Sequence, residues 1–145
     1  MSQERVDHLL TSHRHEMPGR LVELDVDECW ELLRRTPVGR LAWNGAAGPT
    51  VVPVNYVATS DGIVVKTTAY SAAVRETDDS PITFQVDHID PETRTGWSVL
   101  AHGRLDVDWS FGRVDAPEVD VWPAGPRPLR LQLEISTISG RRLTD

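Results

Sequence analysis

The sequence predicts a mainly β domain with short α-helices, folded as a small antiparallel barrel. Three observations carry this: short β-branched runs separated by Gly, Asp and Asn at hairpin spacing, one amphipathic segment ahead of them, and a proline inside the second run. At 145 residues and 39% hydrophobic content the chain suits one domain with one core. Residues 1–23 read as a flexible N-terminal arm and residues 24–145 as the folded domain. The arm mixes charges, three histidines and a Pro-Gly pair with little apolar periodicity. His8, His13 and His15 lack the thiol or carboxylate framework of a metal motif, so they read as solvated.

The helix is expected in "ELDVDECWELLRRTPVG". Asp25 followed three residues later by Glu28 forms a capping box, and Cys29, Trp30, Leu32 and Leu33 recur at helical spacing. Arg34 and Arg35 complement the negative end of the helix dipole, and Pro37 ends the segment. Strands follow in "VGRLAWN", "TVVPVNYVAT" and "IVVKTT", with turns at "GAAGP" and "SDG". Pro53 lacks a ladder donor, so it must sit at a sheet edge, a bulge or an opening in the ladder. A short helix near Ala69 to Thr77 precedes the strands "ITFQVDHID", "WSVLAHGRLDVD" and "LRLQLEISTISGRRL". The loop "VWPAGPRP" before the last of these is too apolar for a linker and too proline-rich for a helix.

Charge and composition narrow the functional classes. With 15 basic against 22 acidic residues the net charge is -7, which argues against nucleic acid and anionic membrane as partners. No apolar run reaches the roughly 20 residues of a membrane span, and the start is polar where a signal peptide would be apolar. The lone Cys29 fits a buried, reduced thiol, and together these predict a cytoplasmic protein. Asp87, His88, Asp90 and Glu92 cluster in sequence, yet strand alternation sends Asp87 and His88 to opposite faces, so no metal site is expected. Ser98, His102 and Asp106 share strand parity and mimic a triad in composition only, because neighbours on one strand face point away in parallel.

The stretch "VKTTAYSAAVRE" has the parts of an anion cradle: strand-end hydroxyls, backbone amides and a turn into a helix. Together with "VGRLA", "PTVVPVNYVATSDGIVVKTT", "ITFQVDHID", "GWSVLAHGRL", "VWPAGPRP" and "ISGRRL", in that order, it resembles the pyridoxamine 5'-phosphate oxidase-like, FMN-binding split-barrel family, in particular its small actinobacterial members. The resemblance runs from about Leu24 to the end. It implies a split β-barrel homodimer with two cofactor sites at the subunit interface, each for FMN or, alternatively, a deazaflavin coenzyme, acting on a small-molecule substrate. It implies that Val52, Pro53, Val54 and Asn55 run beside the cofactor ring, and that Lys66, Thr67, Thr68 and Ser71 form the phosphate segment. Relatives place a basic residue after the serine, whereas this chain has Ala72, with Tyr70 where a glycine is common. Lys66 or Arg75 would then supply the missing charge. Trp97, Trp122 and Arg127 match positions near the partner subunit's cofactor.

The expected function is accordingly a flavin- or deazaflavin-dependent oxidoreductase with no obligatory catalytic side chain, because such a cofactor carries the hydride chemistry. The alternative is a non-enzymatic dimeric module with weakened flavin binding. Oxidation of pyridoxamine phosphate itself is disfavoured, since a second phosphate would demand a further basic cluster.

Overall fold

The computed structural model describes residues 19–60, 62–68, 71–108 and 118–145. Along the chain these form β1 (Arg20–Leu24), α1 (Val26–Arg35), β2 (Val38–Gly45), β3 (Gly48–Asn55), β4 (Val57–Ala58), β5 (Gly62–Thr67), α2 (Ala72–Thr77), β6 (Ser80–Asp90), β7 (Thr95–Asp108) and β8 (Leu129–Thr144). The strands make one antiparallel sheet in the order β3-β2-β6-β7-β8-β5-β4, with β1 added to β8. The expected barrel is therefore an open sheet among the described residues, with β3 and β4 as its ends. Pro53 falls on the edge strand β3, opposite Arg40 of β2, where its missing N–H breaks no ladder.

The helix cap forms as the sequence predicts: the Glu28 N–H donates to the Asp25 carboxylate at 2.8 Å. Cys29, Leu32 and Leu33 form the buried face of α1, and Arg34 and Arg35 occupy its last turn. The helix lies close on β8 at Gly140, where a Cβ would stand 2.9 Å from the Cys29 sulfur, so a side chain there would lift the helix off the sheet. Burial, with Asp25 and Glu28 adding repulsion, pushes the Cys29 thiol above its ordinary pKa.

Strand alternation builds the core. Ile82, Phe84 and Val86 of β6, Val99, Ala101 and Leu105 of β7, and Leu129, Leu131 and Leu133 of β8 all face inward. Between β3 and β4, Tyr56 turns into this core, packs edge-on against Phe84 at 4.8 Å between centroids, and donates its hydroxyl to the Leu33 carbonyl at 2.6 Å. That bond joins the end of α1 to the sheet. No helix among the described residues is long and apolar enough to cross a membrane.

Two sequence expectations change. The boundary set at residue 23 falls inside β1, which pairs along its whole length with β8; the rest of the arm, with His8, His13 and His15, lies outside the described residues. Five residues with alternating polar neighbours carry too little pattern to announce a strand, and it is β8 that supplies the ladder. The predicted helix near Ala69 to Thr77 is the shorter α2, with Ser71 as its cap; Ala69 and Tyr70 lie outside the described residues.

Tyr56→Phe keeps the ring contact and removes the hydroxyl, so urea unfolding should lose about 1 kcal/mol. Burial raises the Tyr56 pKa, chiefly through desolvation. A raised pKa means the folded state resists ionisation, so this contribution is intact below the unfolded value of about 10 and is lost as pH climbs toward the folded one. The variant should lack that alkaline component; identical alkaline unfolding of both proteins would refute the role given to the hydroxyl.

Candidate functional site

The sheet's open side sets β3 facing β5, and a cavity of about 240 Å³ lies between them. Val52, Pro53, Val54 and Asn55 of β3 form one wall, and Val65, Lys66 and Thr67 of β5 form the other. The first turn of α2 closes one end through Ser71, Ala72 and Ala73, while Val121, Pro123 and Arg127 arrive from the proline-rich loop. Leu41, Trp43 and Leu131 make the apolar floor. Residues far apart in sequence meet here because β5 pairs with the first six residues of β8, which sets Lys66 opposite Arg130 and Thr67 opposite Leu129.

Local hydrogen bonds hold the walls. The Ser71 Oγ accepts from the Val74 N–H at 3.3 Å, which leaves its own hydroxyl proton for a ligand acceptor. The Lys66 ammonium, 22% exposed, lies 3.7 Å from the carboxylate of Glu118, which is 89% exposed. At this distance from a carboxylate so open to water the pair contributes little, and Lys66 is part of the cavity lining. Asn55 works in two directions: its amide nitrogen donates to the Pro37 carbonyl at 3.3 Å, and its oxygen accepts the Trp122 N–H at 2.9 Å. In this way β3 anchors the loop that carries Arg127.

Eight of the residues singled out from sequence line this one cavity: Val52, Pro53, Val54, Asn55, Lys66, Thr67, Ser71 and Arg127. Four do not. Thr68 is half-buried and gives its carbonyl to the Ser71 N–H, a turn contact. Arg75 is exposed and outside the lining, so helical spacing from Ser71 does not bring its side chain inward. Trp122 is fixed by its backbone while its ring is 64% exposed. Trp97 lies on β7 opposite His88 and Arg142, packed at the margin of the core. Asp87 is engaged by Gln85 at 2.8 Å and by Arg40 at 3.5 Å, and His88 faces the other side of the sheet.

Sequence reasoning missed Trp43, which is buried and donates its indole N–H to Glu76 at 2.7 Å. The bond ties the cavity floor to α2. Its strand parity with Leu41 marked it as inward-facing, but nothing in the spacing pairs it with Glu76. Glu76→Ala removes the acceptor and leaves a partly buried indole N–H unpaired, so it should cost about 1–3 kcal/mol in urea unfolding and shift tryptophan emission. Trp43→Phe introduced together with Glu76→Ala should add less than it does in the parent, and full additivity would show that the two side chains are not coupled.

Comparison with known proteins places the chain. A family model described as pyridoxamine 5'-phosphate oxidase matches residues 25–142. An uncharacterised protein of Mycobacterium tuberculosis is 36% identical over 88 residues, an alignment covering 57% of this chain and 58% of that protein's length. The fold recurs in an FAD-binding protein of Mycobacterium smegmatis, at 21% identity and TM-score 0.66, covering 85% of this chain and 98% of the other. An FAD-binding protein of Mesorhizobium loti matches at 19% identity and TM-score 0.66, covering 88% and 99%. An FAD- and heme-binding protein of Mycobacterium smegmatis matches at 17% identity and TM-score 0.64, covering 85% and 73%.

Proposed function

The chain belongs to the pyridoxamine 5'-phosphate oxidase family, and from that membership we propose that it is a flavin- or deazaflavin-binding oxidoreductase with its cofactor site at a homodimer interface. FMN is the first choice and a deazaflavin coenzyme the alternative. The observation that carries the reading is the meeting, in one cavity, of the β3 wall, Lys66, Thr67, Ser71 and Arg127. The FAD-binding proteins that share the fold support a flavin as the ligand class.

The donor set fits such a group. Apolar Val52, Val54, Val65 and the Trp43 floor suit a flat ring, whereas Lys66, Arg127 and the Ser71 and Thr67 hydroxyls suit a phosphate. A bound flavin or deazaflavin would supply hydride transfer. The chain's own residues then have three tasks: the β3 edge offers backbone polar groups to the ring, the cations hold the phosphate, and Pro53 and Pro123 keep the rim rigid and apolar against water. No side chain is assigned as acid or base.

A cavity of about 240 Å³ is below the ~300–1,000 Å³ usual for a ligand of this class. A second copy of the chain would enlarge and close it, and the exposed Trp122 ring suits that contact. Trp97 and Trp122, both outside the chain's own cavity, would then serve the partner's site. Arg75 drops out of the phosphate contacts, and Lys66 and Arg127 are the cations of the lining among the described residues. Two cations suit one phosphate, so oxidation of pyridoxamine phosphate is not part of the proposal. Because Ala72 stands where relatives carry a basic residue, a dimeric module with little flavin affinity is the second reading. A cytoplasmic setting with a small-molecule substrate accompanies the first.

The test is titration of the purified protein with FMN and with the deazaflavin coenzyme, followed by cofactor fluorescence. Saturable binding of one is expected; binding of neither by a folded dimer selects the module. Lys66→Ala with Arg127→Ala should weaken cofactor binding by at least about tenfold, and Arg75→Ala should leave it unchanged. Light scattering should give a dimer, and a monomer would remove the interface site.

A further inference from the structure

A second cleft lies on the other face of the sheet, and it arises from strand pairing. β2 pairs with β6 only at Arg40, Leu41 and Ala42, although β2 continues to Gly45 and β6 begins at Ser80. Past the Ala42 and Thr83 pair the two strands part. Trp43 to Gly45 continue with β3 alone, and Ser80 to Ile82 with β7 alone. Pro81 stands in the gap, where its lack of an N–H leaves nothing to close the ladder. The result is a groove of about 600 Å³, within the range of small-molecule sites.

Polar groups converge on this groove from three strands. His102 of β7 holds its Nδ1 at 3.1 Å from the Thr83 hydroxyl of β6, so the ring is oriented and Nε2 remains for a ligand. A β-bulge sits at His102 and Gly103: His102 pairs with Thr137, Gly103 pairs with Ile135, and Ser136 between them donates its hydroxyl to the His102 carbonyl at 3.0 Å. A Cβ on Gly103 would lie 1.9 Å from the Glu134 carbonyl oxygen, so the bulge depends on glycine there. Arg104 turns toward Asp79, its Nη2 reaching the Asp79 carbonyl at 2.6 Å and its Nε the carboxylate at 3.4 Å. Guanidinium has five N–H groups, so three are left, both of those on Nη1 among them. Asp79 is 82% exposed, which makes it a weak neutraliser.

The rest of the wall sets apolar Pro49, Val51, Pro81 and Ile82 beside the polar side chains of Asn44 and Thr50. Among the described residues no Asp or Glu lines this groove, in a chain with 22 acidic residues, whereas Arg104 and His102 do. We infer that this groove between β2 and β6 is a second ligand site, distinct from the cavity between β3 and β5, and that it takes a small carboxylate with a flat apolar body. The carboxylate meets Arg104, with His102 Nε2 beside it, and the apolar body rests on Pro49, Val51 and Pro81. The inference is independent of which cofactor occupies the other cavity, since the two clefts share Trp43 but no charged residue.

Benzoate is the probe, with benzamide as its uncharged counterpart, each titrated into the full isotope-labelled chain while amide resonances are followed. Saturable shifts at Thr83, His102 and Gly103 are expected with benzoate, and binding of benzamide should be weaker by about tenfold. Arg104→Gln should weaken benzoate to the same extent, whereas Arg127→Gln should leave it unchanged. Equal binding of the two probes, no saturation through the millimolar range, or shifts centred on Lys66 and Thr67 with loss in Arg127→Gln would each overturn the site. The comparison of probes on the unaltered protein decides the matter even where a variant fails to fold.

Discussion

Everything in the molecule hangs on β8. Of its sixteen residues, those from Arg130 to Leu143 run along β7 with Ser136 bulged out, while the other side is divided between β5 at Leu129–Glu134 and β1 at Gly140–Thr144. One strand thus has three partners, and the sheet must diverge between β5 and β1. Antiparallel ladders fix side-chain parity residue by residue, so this division also sets what faces inward. The same register that buries Leu129, Leu131 and Leu133 places Lys66 and Thr67 on the open side opposite β3. A slip of one residue would turn Leu131 outward and take the β5 wall with it.

β2 repeats the arrangement on a smaller scale. It runs with β3 over eight residues and with β6 over three, and the surplus length creates a gap. The sheet therefore has one opening between β3 and β5 and another between β2 and β6, with Trp43 standing at both. A large, rigid side chain makes a defined cavity floor only when its orientation is fixed. Here the Glu76 carboxylate does this from α2, whose first turn lines one of the clefts. The floor of the cavity between β3 and β5 is thereby tied to the position of one short helix.

The sequence made some of this plain because the signals were local. The Asp25 cap and the Pro37 stop follow from the backbone chemistry of single residues and stand where they were expected, and Pro53 takes the sheet edge, one of the three places open to it. The β3 and β5 walls of the cavity were marked by strand pattern and by family resemblance together. What was hidden depends on partners distant in sequence. β1 is a strand because β8 has free ladder positions. Trp43 matters because Glu76 reaches it, and Arg75 faces water although its spacing from Ser71 allowed the opposite. The proline-rich loop was recognised as unusual, but its attachment through Asn55 and Trp122 joins residues 67 apart. Periodicity describes one element at a time, and these contacts lie between elements.

Charge is distributed against the average of the chain. A net charge of -7 repels anions at distance, yet among the described residues neither cleft has an Asp or Glu in its lining, and each has an arginine. The acidic residues nearest the clefts are turned to other work: Glu76 on Trp43, Asp79 on Arg104 and Glu118 in solvent beside Lys66. With a screening length of about 8 Å at physiological ionic strength, the global field fades within a few side-chain lengths. Contact hydrogen bonds to a phosphate or carboxylate are screened far less once water is excluded. An acidic surface is therefore compatible with the anion binding proposed for the two clefts. The surface discourages extended polyanions, whereas clefts lined in this way would admit compact anions small enough to enter.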